Sequence, residues 1–359
     1  MNIILDNIIF SLQKSGGISV YWYELIHKVL KQEKINSLFI EEKSRSENIF
    51  RKHLNILPTN LLSDKVYPEK KFSRYREIDL KIKNSNFIFH SSYYRTLSKK
   101  VKKNNIVKEV VTVHDFTYEH FSRGLKRWVH SSQKRKAINA ADVVLCISEN
   151  TKKDLLYFFP EFSNKEIKVV YNGVSSDYYN ISELEINKSE SLYFLFVGSR
   201  ATYKNFDFCV QAVAQMDKRY KLKIVGSKLS KKELFILNNL LVDRWELLMN
   251  VDNEKLNQLY NEAYALIYPS SYEGFGIPLL EAMNAGCPFI ALNASSISEV
   301  SQGAGVLIDK LEIDSFNEAV LKIDNNRDKI IKKGFERGSE FSWEKCYNET
   351  MNVYKELYK

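Results

Sequence analysis

Two carboxylates, Glu273 and Glu281, stand eight positions apart with Gly274, Gly276 and Pro278 between them, directly after an apolar run that ends at Tyr268. Pro278 suits the first turn of a helix, and Gly286 suits its stop. Carboxylates accept hydrogen bonds from neighbouring hydroxyls. Glycines let a backbone approach a ligand with no Cβ in the way. The free N–H groups at a helix start favour phosphate oxygens. The spacing puts Glu281 in the first helical turn, so that both acids and those N–H groups converge on one spot. Such a spot suits a phosphorylated sugar.

Three further groups have placements that could do chemistry. Gly198, Arg200 and Lys204 follow the apolar run Tyr193–Val197 and open a helix. Two cations there can neutralise a diphosphate, Lys204 as a point charge and Arg200 as a planar fork. Gly16 and Gly17 lie between a first strand and a first helix, where paired glycines permit close approach to a phosphate or an acceptor; a tight structural turn would use them equally well. His114 ends the run Val110–Val113 and precedes Asp115, a position from which an imidazole can hydrogen-bond a sugar hydroxyl. His90 ends another strand and is a second acceptor-side candidate.

These residues need a scaffold of alternating strands and helices. Strands are predicted at 2–5, 87–89, 109–113, 143–147 and 167–171, then at 193–197, 222–225, 265–268 and 289–292. Helices fit 18–32, 124–140 and 149–159, the last with Ser148 as N-cap, and then 205–216, 230–240, 254–263, 278–285 and 342–357. A polar stretch over 177–191 separates the two blocks. Strand–helix alternation in two successive blocks implies an α/β chain of two doubly wound, Rossmann-like domains facing a cleft. Ligands of such sheets bind at the carboxyl ends of the strands. The boundaries are 1–180, with the C-terminal helix 342–359 packing back on it, and 190–341. No GxGxxG occurs, which argues against a nicotinamide or flavin enzyme.

Composition agrees with that plan. A chain of 359 residues suits two domains better than one core. Cys146, Cys209, Cys287 and Cys346 are far apart with no zinc spacing, so buried free thiols and a reducing cytoplasm are expected. The N-terminus lacks the pattern of a signal peptide, and no apolar run reaches the roughly 18 residues of a membrane span. Charge is uneven: residues 1–180 hold 31 Lys and Arg against 19 Asp and Glu, and residues 181–359 hold 22 against 25. A basic half favours an anionic partner. Residues 123–136 mix cations with Leu125, Trp128 and Val129, as an interfacial helix on an anionic membrane would, or a plain surface helix. No basic-aromatic module for nucleic acid is present.

The segment from Tyr272 to Met283, with Glu273 and Glu281 in register, closely resembles the signature of family 4 glycosyltransferases of the GT-B fold, bacterial O-antigen and capsule enzymes above all. The turn Gly198–Asn205 resembles that family's phosphate-binding turn, with Ser199 where many members carry Arg. The Gly16-Gly17 loop and the His114-Asp115 pair resemble its landmarks too. The resemblance implies that Glu281 holds the donor ribose and Glu273 faces the donor sugar. Donor contacts would run over Gly17, Gly198, Arg200, Lys204, Gly274, Phe275, Gly276, Ile277 and Leu280. It implies His114, Arg200, Lys204 and Glu273 as catalytic residues, and Gly16, His90 and His114 on the acceptor side.

The resemblance also implies an activity: retaining transfer of a hexose, mannose from GDP-mannose as leading choice, to a glycan or polyprenyl-diphosphate-linked glycan. No cofactor or metal is expected, since there is no DxD motif. The enzyme would be cytoplasmic, with peripheral contact at the inner membrane face. A sugar-nucleotide 2-epimerase of the same fold and an inactive partner subunit are the rival readings.

Overall fold

Apolar runs without alternation, such as Val143–Cys146 and Ala265–Tyr268, are buried along their whole length, as strands are when helices cover both faces of a parallel sheet. The computed structural model describes residues 1–41, 46–63, 73–181 and 192–359. It divides into two units, Met1–Asn172 with Trp343–Lys359, and Gly173–Ser342.

In the first unit, β1 (Asn2–Asp6), β2 (Asn36–Glu41), β3 (Leu61–Ser63), β4 (Asn86–Ser91), β5 (Ile106–Val113), β6 (Val143–Cys146) and β7 (Glu166–Val169) form a sheet of order β3-β2-β1-β4-β5-β6-β7. Every pairing is parallel. The order reverses between β1 and β4, which fixes the switch point where loops leave in opposite directions. The C-terminal helix Trp343–Tyr358 belongs to this unit. Lys28 Nζ donates to Glu344 Oε2 at 2.6 Å, and Asn2 Nδ2 donates to the Tyr358 hydroxyl at 3.2 Å.

The second unit repeats the plan. Strands β8 (Tyr193–Val197), β9 (Lys221–Val225), β10 (Trp245–Leu248), β11 (Ala265–Tyr268), β12 (Phe289–Leu292) and β13 (Val306–Ile308) form an all-parallel sheet of order β10-β9-β8-β11-β12-β13. Its switch point lies between β8 and β11. Its core packs Phe194, Phe196, Val210, Ile224, Ile267 and Phe316, all 2% exposed or less.

The chain enters this unit earlier than the polar stretch suggests. Residues 173–181 are tied to the Asn253–Glu262 helix, with the Tyr179 and Ile181 N–H groups donating to Asn257 Oδ1 (3.1 Å) and Asn261 Oδ1 (2.8 Å). Residues 182–191 lie outside the described residues. All four cysteines are buried free thiols. Among the described residues no helix is long and apolar enough to cross a membrane.

Candidate functional site

Strands β8 and β11 are hydrogen-bonded neighbours on either side of the switch point. The loops that follow them, 198–205 and 269–276, therefore start side by side. Asn205 stitches them together: its side-chain amide donates to Pro269 O at 2.8 Å and Ser271 Oγ at 2.7 Å, and the Ser271 N–H donates to Tyr203 O at 2.8 Å. Asn205 itself is left-handed, with φ 50°. Asparagine tolerates that region better than most residues. This brings Lys204 and Glu273, 69 positions apart in sequence, into a direct ion pair. Their side chains are only 14% and 13% exposed. The Tyr268 ring lies beneath the pair, its centroid 5.4 Å from Lys204 Nζ, and its hydroxyl hydrogen-bonds Glu273.

Two serines hold the glycine loop. Ser295 Oγ accepts from the Glu273 N–H at 2.8 Å, and the Ser296 hydroxyl reaches Glu273 O and Phe275 O, each at 2.9 Å. Gly276 caps the Ile277–Ala285 helix with φ 113°, a conformation that side chains rarely adopt. Gly198 has φ 125° with open space where a Cβ would stand. Conformation, not crowding, calls for glycine there.

Glu281 falls one turn later than its spacing suggests. The helix begins at Ile277 and its first turn holds no acid. From the second turn, Glu281 Oε2 accepts from the Tyr260 hydroxyl at 2.8 Å, and the Tyr178 hydroxyl is also within reach. Loss of water raises its carboxyl to about 7, while the tyrosine hydrogen bonds pull the other way. Both acids act electrostatically on Tyr268.

Three expectations are corrected by this geometry. Arg200 does not stand beside Lys204 as a second open cation. Its Nε donates to Glu233 Oε1 at 2.8 Å and its Nη2 to Ser227 O and Lys228 O, both at 2.8 Å, and the side chain is 5% exposed. Leu280 is completely buried, so its side chain offers nothing to a ligand. His90 is also fully buried, with Nδ1 against the Tyr354 hydroxyl (2.5 Å) and Nε2 against Thr112 Oγ1 (3.0 Å). Both nitrogens are used inside the fold, so His90 cannot serve as an acceptor contact.

The other candidates differ in exposure. Phe275 is 3% exposed with its ring against Phe341. Ile277 is partly exposed at the helix start. In the first unit, Gly16 caps the Gly17–Val29 helix, and Gly17 is exposed. His114 is 7% exposed, packs edge-on against Tyr21, and keeps Nε2 without a hydrogen-bond partner. Burial holds its imidazole neutral, with the pKa down at about 4.

Sequence reasoning missed Tyr178, Tyr260, Tyr268, Asn205, Ser295 and Ser296. Only Asn205, directly beside Lys204, carried a local signal. The tyrosines are three among 21 and meet the acids only through the fold.

Comparison with known proteins agrees with this architecture. Residues 15–178 match the family described as Glycosyltransferase Family 4, and residues 180–337 match Glycosyl transferases group 1. The O-antigen chain mannosyltransferase B of Escherichia coli is 29% identical over 272 residues, covering 70% of this chain and 71% of that protein. An O-antigen chain mannosyltransferase of Salmonella typhimurium is 28% identical, over 62% of this chain and 63% of its own. The solved sucrose-phosphate synthase of Thermosynechococcus elongatus superposes with a TM-score of 0.76 at 17% identity, over 99% of both chains.

Proposed function

Because the chain belongs to glycosyltransferase family 4, with the two α/β units of the GT-B architecture, we propose that it is a retaining hexosyltransferase. It takes mannose from GDP-mannose and passes it to a glycan or polyprenyl-diphosphate-linked glycan in bacterial surface polysaccharide synthesis. The mannose and O-antigen parts of this reading rest on the names of the Escherichia coli and Salmonella relatives. The observation that carries the transferase reading is the direct pairing of Lys204 with Glu273 at the switch point of the second unit.

Donor binding follows from the residues. Ionised Glu281 accepts hydrogen bonds from ribose hydroxyls. The backbone at the start of the Ile277–Ala285 helix faces sugar or phosphate oxygens. Lys204 exchanges its Glu273 partner for the diphosphate, which frees Glu273 to accept from the sugar. The bond from C1 to the phosphate oxygen then breaks as the acceptor oxygen bonds to C1 on the same face. The acceptor proton passes to a phosphate oxygen of the departing diphosphate. Lys204 stabilises the charge that grows there, by about 3–4 kcal/mol if it acts like other oriented donors. His114, neutral and with Nε2 unpaired, is the group we assign to an acceptor hydroxyl. The reaction needs no metal.

The enzyme works in the cytoplasm, at the inner membrane face. Leu125 and Trp128 are 75% and 67% exposed on the Gly124–Ala140 helix among Arg123, Lys126 and Arg127, a mixture that suits anionic lipid.

A thermal-shift panel of GDP-, UDP-, dTDP- and ADP-sugars tests the donor, since a ligand that binds only the folded chain stabilises it. Greatest stabilisation by GDP-mannose, followed by a mass increase of one hexose on a polyprenyl-diphosphate-linked glycan, is the expected result. A donor whose own sugar changes, with no transfer, would replace this reading by an epimerase. The anomeric configuration of the product, and transfer in EDTA, test retention and metal independence.

A further inference from the structure

The carboxyl ends of β4 and β5 carry a second group of polar side chains that the donor reading does not use. Tyr93 lies just past β4, and Asp115 and Tyr118 lie just past β5. Lys126, His130 and Lys134 recur every four residues on the Gly124–Ala140 helix, so they share one stripe. Arg74 arrives from the short turn Ser73–Tyr75. His130 is the centre of the group. Its ring stacks on Tyr118 at 3.5 Å between centroids, its Nε2 lies 3.0 Å from Arg74 Nη2, and its Nδ1 lies 3.4 Å from the Tyr93 hydroxyl. Since a guanidinium only donates, Nε2 accepts and Nδ1 carries the proton.

The positive charge here is not fully answered. Lys134 is spent, donating to Glu119 Oε2 (2.8 Å) and Asp115 O (2.7 Å). Arg74 and Lys126 have no ion pair among the described residues, and Arg74 Nε is buried without a hydrogen-bond partner. The two cations lie instead over aromatic faces: Arg74 4.6 Å from the Tyr75 centroid and 5.5 Å from that of Tyr93, Lys126 5.3 Å from that of Tyr118. The carboxylates facing the group are Asp115, which accepts the Thr117 N–H at 2.9 Å, and Glu119, which is paired. Three cations thus stand against two acids. Burial first, then Arg74, Lys134 and Lys126, hold His130 neutral with its pKa down at about 4. The excess of cations over acids is what favours an anion here.

We propose that Arg74, Lys126 and the Tyr93 hydroxyl bind a phosphate or diphosphate ester group of the acceptor, with His130 orienting Arg74 and Tyr93 and the rings of Tyr75 and Tyr118 as flat faces for the organic part next to it. Assignment to the acceptor rests on the glycosyltransferase reading; the phosphate chemistry does not. Arg74 supplies the forked contact and Lys126 a mobile point charge.

The test follows the His130 ring in the full chain labelled with 15N-histidine, its signal identified by loss in His130→Gln. Geranyl diphosphate and inorganic pyrophosphate should move that signal saturably, whereas geraniol leaves it in place and GDP moves it less. Arg74→Gln should weaken the geranyl diphosphate response about tenfold or more. Exposed Lys126→Gln, which cannot unfold a core, should weaken it less. Equal responses to geraniol, a response to GDP as strong as that to geranyl diphosphate, or full responses in both variants would each overturn the proposal. If no nucleotide sugar stabilises the chain but the Arg74-dependent response remains, the phosphate site stands and the glycosyltransferase reading falls.

Discussion

Lys204 and Glu273 hold each other in the ligand-free protein, and both are mostly shielded from water. On the proposed donor reading, a diphosphate competes with Glu273 for the same ammonium. Lys204→Ala should lower turnover about a hundredfold or more with the melting temperature nearly kept. Glu273→Gln should separate the two roles: GDP binds at least as tightly, because Lys204 is released, while sugar transfer falls. Steady-state kinetics and GDP titrations on the two variants check this. Wild-type turnover in Lys204→Ala would remove the lysine from the mechanism.

Arg200 should behave in the opposite way. It braces Glu233 and two carbonyls from a side chain that is 5% exposed. Glu233 in turn completes the reciprocal cap of the Lys231–Leu240 helix with Ser230. Arg200→Ala leaves Glu233 without its cation and two carbonyls without donors, a cost of roughly 1–3 kcal/mol. The variant should melt earlier yet turn over near the wild-type rate per folded molecule. A large loss of turnover at unchanged stability would return Arg200 to the diphosphate.

Glu281 sets a pH dependence. Its carboxyl is raised to about 7, and the proposed ribose contact uses its ionised form. Nucleotide affinity should rise from pH 6 to 8, by less than about tenfold per unit, and the slope should vanish in Glu281→Gln. The stability linkage runs the other way. The folded chain holds this proton to higher pH than the unfolded chain does, so the contribution is complete below the ordinary carboxyl range and is lost as pH climbs through 7. Calorimetric titration with GDP across that range reads the first effect, and thermal melts of Glu281→Gln beside the wild type read the second.

The parts of the fold legible in the sequence are those whose pattern is set locally. Strands β8, β11 and β12 are apolar throughout because both faces are covered, and they stand where their runs predict. Strands β2, β3, β10 and β13 escaped. All four lie toward the sheet edges; β3 and β13 are only three residues long, and β2 and β10 mix polar residues into the run, as in Trp245–Leu248. The helix Ile313–Gly338 escaped as well, its polar sequence interrupted at Asn326 by non-helical backbone. Within the site, glycines and acids announced the loop. Nothing in the spacing distinguished Lys204, which meets Glu273, from Arg200, which turns toward Glu233. That difference is decided by strand order.

His90 makes the last prediction, one of acid stability. Burial pushes its pKa down to about 3, and its two nitrogens join Thr112 on β5 to Tyr354 on the C-terminal helix. Thr112 Oγ1 lies a further 3.1 Å from the Tyr21 hydroxyl on the Gly17–Val29 helix, so with His90 on β4 four elements share one buried polar chain. The unfolded histidine takes a proton near 6.5, whereas the folded one resists it. The stabilising effect is therefore complete above 6.5 and declines as pH falls from there toward the folded value, by on the order of a few kcal/mol. His114 and His130, both held at about 4, act in the same direction. Protonated His90 has no acceptor left for a donating hydroxyl, so acid should loosen Trp343–Tyr358 from the first unit before the second unit yields. Amide exchange at pH 5 against pH 7 should speed most in that helix, and His90→Gln should make the pH difference smaller. Uniform exchange across both units at pH 5 would show that this buried chain is not what fastens the helix.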